Sequence, residues 1–72
     1  MRIGAFAEKY NMNVSAVRYY VERGLLTPQR RNNQYVFDDD CMKDMEKILR
    51  YKSFHFSLSE IELLFFLQRN SQ

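Results

Sequence analysis

The 72-residue chain has a single cysteine, a single histidine, one proline, two glycines and no tryptophan. A lone Cys41 cannot form an internal disulfide, which agrees with a reducing compartment. With His55 the only imidazole and Cys41 the only thiol, the set of about four soft ligands that structural zinc requires cannot be assembled. Two isolated glycines, Gly4 and Gly24, leave no glycine-rich phosphate loop, and there is neither a nucleophile elbow nor a cleft-like pair of catalytic carboxylates. No run approaches the ~20 apolar residues of a membrane span, and the N-terminus lacks an apolar signal core. The expectation is a cytoplasmic protein without enzymatic activity, with no catalytic residue, no metal, no cofactor and no membrane contact.

What is present fits one small domain. A chain this short buries only about 60% of its unfolded surface, which leaves no room for a large enclosed cleft. Hydrophobic residues at 46% and charged residues at 28% give a globular rather than a disordered balance. The net charge of +2 is unevenly spread: through Phe37 six bases stand against two acids, and from Asp38 onward five bases face seven acids. The positive field belongs to the N-terminal half, and a polyanion is its natural partner.

The stretch Asn13 to Leu26 carries its own start and stop signals. Asn13 is a good N-cap type and Gly24 supplies the left-handed residue that commonly ends a helix, which predicts a helix over 13–23. Val14, Val17 and Val21 are spaced three and four apart and point inward, with Tyr20 on the flank of that stripe. Ser15, Ala16, Arg18, Tyr19 and Glu22 point outward. Small residues beside an arginine and a tyrosine suit close approach to a phosphate-bearing surface, although an ordinary amphipathic helix reads the same way. A shorter helix over 3–10 precedes it, with Ile3, Phe6 and Ala7 on one face and Tyr10 closing it. Asn11-Met12-Asn13 makes a tight turn in which Asn11 tolerates positive φ and Met12 plugs the angle, so the two helices form a helix-turn-helix unit.

Beyond it, Pro28 stops the helix, and Arg30, Arg31, Asn32, Asn33 and Gln34 form a polar tip before the strand-like Tyr35, Val36 and Phe37. That predicts a hairpin wing over 27–37 whose Tyr35 or Phe37 rests on the helices, since an isolated hairpin is marginal; Arg30 and Arg31 are either a basic rim or a solvated loop. Asp38, Asp39 and Asp40 open a third helix over 38–53, where first-turn amides and the helix dipole welcome carboxylates without any metal. Cys41, Met45, Ile48, Leu49 and Lys52 follow at helical spacing with Met42 beside them, and Cys41 is expected as inert packing. His55 is a turn residue suited to left-handed backbone. Ser57-Leu58-Ser59-Glu60 is a capping box, with Phe56 and Ile61 as its staple, and opens a fourth helix over 57–69. Leu58, Ile61, Leu64 and Phe65 face inward there, and Leu63, Phe66 and Leu67 remain on the sides, more apolar surface than a small monomer readily hides. The fold class is mainly α: a winged helix-turn-helix of four helices, with a small two-stranded β-hairpin between the second and third.

Ile3-Gly4 with Ala7, the run from Val17-Arg18-Tyr19-Tyr20 through Gly24-Leu25-Leu26-Thr27-Pro28 to Arg30, and the later His55-Phe56-Ser57-Leu58-Ser59-Glu60-Ile61 together resemble the N-terminal DNA-binding domain of MerR-family transcription regulators. Gln34 and Val36 stand where the family pattern has the wing glycine and arginine, and His55 replaces the glycine before the last helix. The resemblance implies a recognition helix in the major groove of double-stranded DNA, where Arg18 and Tyr19 touch the duplex, and a wing whose Arg30, Arg31 and Tyr35 hold phosphates. Ser15, Ala16, Tyr20, Asn32 and Asn33 complete the expected contact set. It further implies a homodimer of the full-length protein on a palindromic operator, promoter distortion, and RNA polymerase as a further partner, whereas an isolated domain could be monomeric. The chain ends before a long dimerisation helix, as either an excised domain of a longer regulator or a small excisionase-like DNA-bending protein. A protein-interaction module docking through the apolar last helix is the rival from another class.

Overall fold

In the computed structural model, which describes residues 1–71, the chain runs α1 (Ile3–Lys9), α2 (Val14–Glu22), β1 (Gln29–Arg31), β2 (Gln34–Val36), α3 (Asp39–Ser53) and α4 (Leu58–Arg69). It is a mainly helical winged helix-turn-helix, with a two-stranded antiparallel hairpin between α2 and α3. Phe6, Ala7, Val17, Tyr20, Leu25, Leu26, Phe37, Cys41, Met45, Ile48, Ile61 and Phe65 form one core to which every helix contributes.

The bend between α1 and α2 follows from Asn11, which takes φ of 56° and lets the Met12 amide return to the Ala7 carbonyl at 2.8 Å. Met12 is half-buried against the core in that angle. Asn13 holds the N-cap position in extended backbone, but its side chain makes no capping bond. At this exposed end its carbonyl receives the Ala16 and Val17 amides, and solvent can serve the remaining first-turn donors. Gly24 at φ of 79° ends α2 and turns the Leu25 and Leu26 amides back to the Tyr20 carbonyl, at 2.9 and 3.3 Å, which drives both leucines into the core.

The wing pairs Gln29 with Val36, Arg30 with Tyr35 and Arg31 with Gln34 across a two-residue turn. Asn32 and Asn33, at φ of 51° and 64°, supply the two left-handed residues that a primed turn needs, so Gln34 in β2 can do without glycine. Phe37 then anchors the hairpin. Its ring stacks on Phe6 with centroids 4.5 Å apart, its amide donates to the Met1 carbonyl at 2.6 Å, and its carbonyl accepts from the Met1 ammonium at 2.7 Å.

Asp38 caps α3 by accepting the Cys41 amide at 3.1 Å, with Asp39 and Asp40 in the first turn. The inward stripe is Cys41, Met45 and Ile48 with Met42 and Tyr51 half-buried. Of the expected continuation, Leu49 and Lys52 are exposed, and Tyr51, three residues after Ile48, is half-buried instead, against Phe56 and Phe65. His55 turns the chain at φ of 67°. The capping box closes on both sides: the Glu60 amide donates to Ser57 Oγ at 3.1 Å, and the Ser57 amide donates to Glu60 Oε1 at 2.8 Å. Ile61 and Phe65 are buried, Leu58 and Leu64 are half-buried, and Leu63, Phe66 and Leu67 stay exposed. Arg69 reaches from α4 to the Gly24 and Leu25 carbonyls at 2.6 and 3.0 Å, and Arg23 pairs with Glu62, so α4 clasps the C-terminal end of α2. No helix among the described residues is long and apolar enough to cross a membrane.

Two stability predictions follow from the caps. Ser57→Ala should lower unfolding free energy by about 1 kcal/mol in urea titrations; an unchanged midpoint would contradict the box. The bond from the Cys41 amide holds the Asp38 carboxyl below its ordinary value of 3.8. A carboxyl depressed in the folded state stabilises fully above the unfolded value and loses that contribution as pH falls through the folded one. Asp38→Asn keeps a capping oxygen but no charge, so it should melt below the parent at neutral pH, and the gap should close between neutral pH and about pH 3.

Candidate nucleic-acid interface

With Val17 and Tyr20 in the core and Val14 and Val21 half-buried against it, α2 turns its other side to solvent. At about 100° per residue, Ser15, Tyr19 and Glu22 form the crest of that side, Arg18 lies on one flank and Ala16 on the other. Arg23, one turn after Tyr19, places its guanidinium 5.8 Å from the Tyr19 ring centre while gripping Glu62, and the hydrogen bond to that carboxylate raises its pKa further. Tyr19, 45% exposed, is thus buttressed on one side and open on the other.

The Arg18 flank borders a cleft of about 590 Å³ between the start of α1, α2 and the wing. Arg2, Arg18 and Arg30 line it together with Tyr35 and Asn33, and the small Gly4 and Ala5 keep its α1 wall low. Arg30 and Tyr35 are direct cross-strand partners, and the guanidinium sits 5.2 Å from the Tyr35 ring centre. That ring in turn meets Phe37 edge-on at 6.2 Å, so the cation is held from the core outward. Among the described residues the two salt bridges join Arg23 to Glu62 and Arg69 to Asp44, and neither takes up an arginine of the cleft. Three guanidiniums without carboxylate partners, on one concave surface, favour the phosphates of a polyanion. The Ala16 flank borders a smaller concavity of about 210 Å³, walled by Tyr19, Phe56, Leu58 and Ile61, where Lys52 Nζ donates to the Tyr20 hydroxyl at 3.2 Å.

The structure divides the residues expected from the sequence. Ser15, Arg18 and Tyr19 are exposed on α2, Ala16 is half-buried at its edge, and Arg30, Asn33 and Tyr35 join Arg18 at the cleft. Arg31 is exposed but does not line the cleft. Asn32 serves the turn by its positive φ. Tyr20 is a correction: its ring is 6% exposed within the core and only its hydroxyl reaches the surface groups, through Lys52. One residue of helical rotation separates it from Tyr19 and carries it to the Val17 side. Arg2 lines the cleft and Lys52 the smaller concavity, and neither belongs to the contact set expected from the sequence. Arg2 signals only as a poor cap, and Lys52 sits at the edge of an apolar stripe, where a lysine lays down its stem and frees its ammonium. Cys41 is buried and its thiol pKa is pushed up by that burial, so it is packing.

A family model described as MerR HTH family regulatory protein matches residues 1–65. The chain belongs to the MerR family. An HTH-type transcriptional regulator ZntR homolog from Haemophilus influenzae is 31% identical over 74 aligned positions, covering 100% of this chain and 55% of that relative. The chain therefore spans about half the length of the curated relative it matches. The matched region includes α1, α2, the wing and α3 entire, so the elements that build the basic cleft are those that the MerR family shares.

The placement of Tyr20 can be measured directly. Tyr20→Phe deletes only the hydroxyl bond to Lys52 and should cost about 1 kcal/mol or less, whereas Tyr20→Ala opens the core and should cost roughly 3–5 kcal/mol in denaturant unfolding. A small cost for the alanine variant would put that ring on the surface.

Proposed function

We propose that this domain binds double-stranded DNA sequence-specifically to regulate transcription, with α2 in the major groove and the wing on the flanking backbone. The carrying observation is the cleft in which Arg2, Arg18 and Arg30 gather beside the open crest of α2. Recognition helices meet base edges with their N-terminal residues, and here those are Ser15, Ala16, Arg18 and Tyr19, two of them small enough to admit a groove wall. Glu22 lies in the last turn, where the helix departs from the bases. Arg2 and Arg30 suit phosphates on one flank and Lys52 on the other, which would fix the register of the helix without reading sequence. Arg31, Asn32 and Asn33 at the wing extend the same backbone contact. The relative's description as a transcriptional regulator supports this reading.

In a protein as long as the relative this chain matches, a homodimer on a palindromic operator would double these contacts, and the linked second half-site would strengthen binding beyond what one domain achieves. Distorting the promoter costs on the order of a few kcal/mol, which contacts on both half-sites can offset, and the distorted duplex would then act on RNA polymerase. The exposed Leu63, Phe66 and Leu67 of α4 favour a protein contact in addition to DNA.

Fluorescence anisotropy with a labelled duplex across a salt series tests the proposal. Arg2→Ala, Arg30→Ala and Lys52→Ala should each weaken binding to all sequences alike and flatten the log–log salt slope by roughly 0.9 for each phosphate no longer neutralised. Arg18→Ala should either do the same or, where it reads a guanine, cost about 1–3 kcal/mol and relax specificity at one base pair. Binding insensitive to salt, or indifferent to all four substitutions, would overturn the reading.

A further inference from the structure

We infer that the concavity on the Ala16 flank of α2 receives thymine methyl groups in the major groove, which makes Phe56, from the turn between α3 and α4, a specificity-determining residue. The inference rests on the DNA-binding reading and adds which bases the helix selects.

Its walls are the Ala16 methyl, the Tyr19 ring, Phe56, Leu58 and Ile61, and Lys52 is the one charged residue lining it. The Lys52 ammonium is held at the Tyr20 hydroxyl, and neither salt bridge among the described residues takes it up, so it can meet a phosphate while the apolar floor stays open. Among the base edges of the major groove, thymine alone carries a methyl group, at C5; guanine and adenine present hydrogen-bonding groups, and cytosine an amino donor beside a bare C5–H. A polar edge entering this concavity would lose water for few partners, whereas a methyl group loses little hydration and gains contact. Location agrees with chemistry. Ala16 lies in the first turn of α2, the part of a recognition helix that approaches base edges, and its small side chain lets the groove floor come near.

Size also bears on the choice of occupant. At about 210 Å³ the concavity exceeds a methyl and admits the C5–C6 edge of a pyrimidine with it, while it falls short of the roughly 300–1,000 Å³ typical of small-molecule sites. Phe56 is 40% exposed and meets Tyr51 edge-on at 5.8 Å, so it overhangs the concavity as a wall that can be removed without emptying the core.

The experiment begins with duplexes enriched by the protein from a random library. Each thymine in turn is replaced by uracil, which deletes the methyl and nothing else, and then by 5-bromouracil, whose bromine fills the methyl's place. At one or two positions uracil should weaken binding about fourfold, as expected for one buried methylene-sized group, and 5-bromouracil should restore it. In Phe56→Ala, checked for a cooperative thermal melt, the thymine-to-uracil ratio should fall towards one. Uracil tolerated at every position overturns the inference and leaves the DNA-binding reading standing, as does an unchanged ratio in Phe56→Ala. Failure to enrich any duplex overturns both.

Discussion

The wing of this domain exists because Phe37 is nailed to α1. A two-stranded ribbon of three residues a side has too little buried surface to hold itself together. Here the Phe37 ring lies flat on Phe6, and the Met1 backbone closes hydrogen bonds to both its amide and its carbonyl. Burying one such ring contributes on the order of 2 kcal/mol, and the stack carries the hairpin with it. The position of Arg30 relative to Arg2 and Arg18 is a consequence: Phe37 fixes Tyr35, Tyr35 carries Arg30, and Phe6 belongs to the helix whose start presents Arg2. The basic cleft is thus an outgrowth of the core rather than a chance grouping of surface charges.

A second constraint acts at the other end of α2. Exposed ion pairs are individually weak, and the Arg23–Glu62 pair alone would settle little. Arg69 does more, because it satisfies the carbonyls of Gly24 and Leu25 that the end of α2 leaves over, and adds a contact to Asp44. Tyr10 ties the first helix to the third through the Met42 carbonyl and Glu46. With its inner face packed and its last turn clasped, α2 is held along its length, and a helix so held can offer its outer face at a fixed angle to whatever it meets.

Much of this was legible in the sequence, wherever one residue type answers one backbone requirement. Gly24, Asn11 and His55 all occupy the left-handed region, and the capping box at Ser57 and Glu60 closes as its spacing implies. The consecutive asparagines of the wing answer the primed turn in the same way. What escaped were questions of rotation and of distant partners. Tyr19 and Tyr20 are chemically alike, and only the core packed beneath Val17 decides which ring goes in. Leu49 and Tyr51 lie on opposite flanks of the α3 stripe, and only the Tyr51 flank is covered, by Phe56 and Phe65. Arg30 lines the cleft and Arg31 does not, a division that shows only once the wing is set against α1 and α2. Arg2 and Lys52 join the surface through neighbours far along the chain, which no local pattern records.

The central claim is that the crest of α2 and the tip of the wing face one duplex from the same side. It is tested most directly by following backbone amide resonances of the isotope-labelled protein as duplex DNA is added. The amides of Ser15 to Tyr19 and of Arg30 to Tyr35 should shift together along one binding curve, while those of Leu63 to Leu67 on α4 stay in place. Shifts confined to α4, or a wing that stays silent while α2 moves, would contradict it.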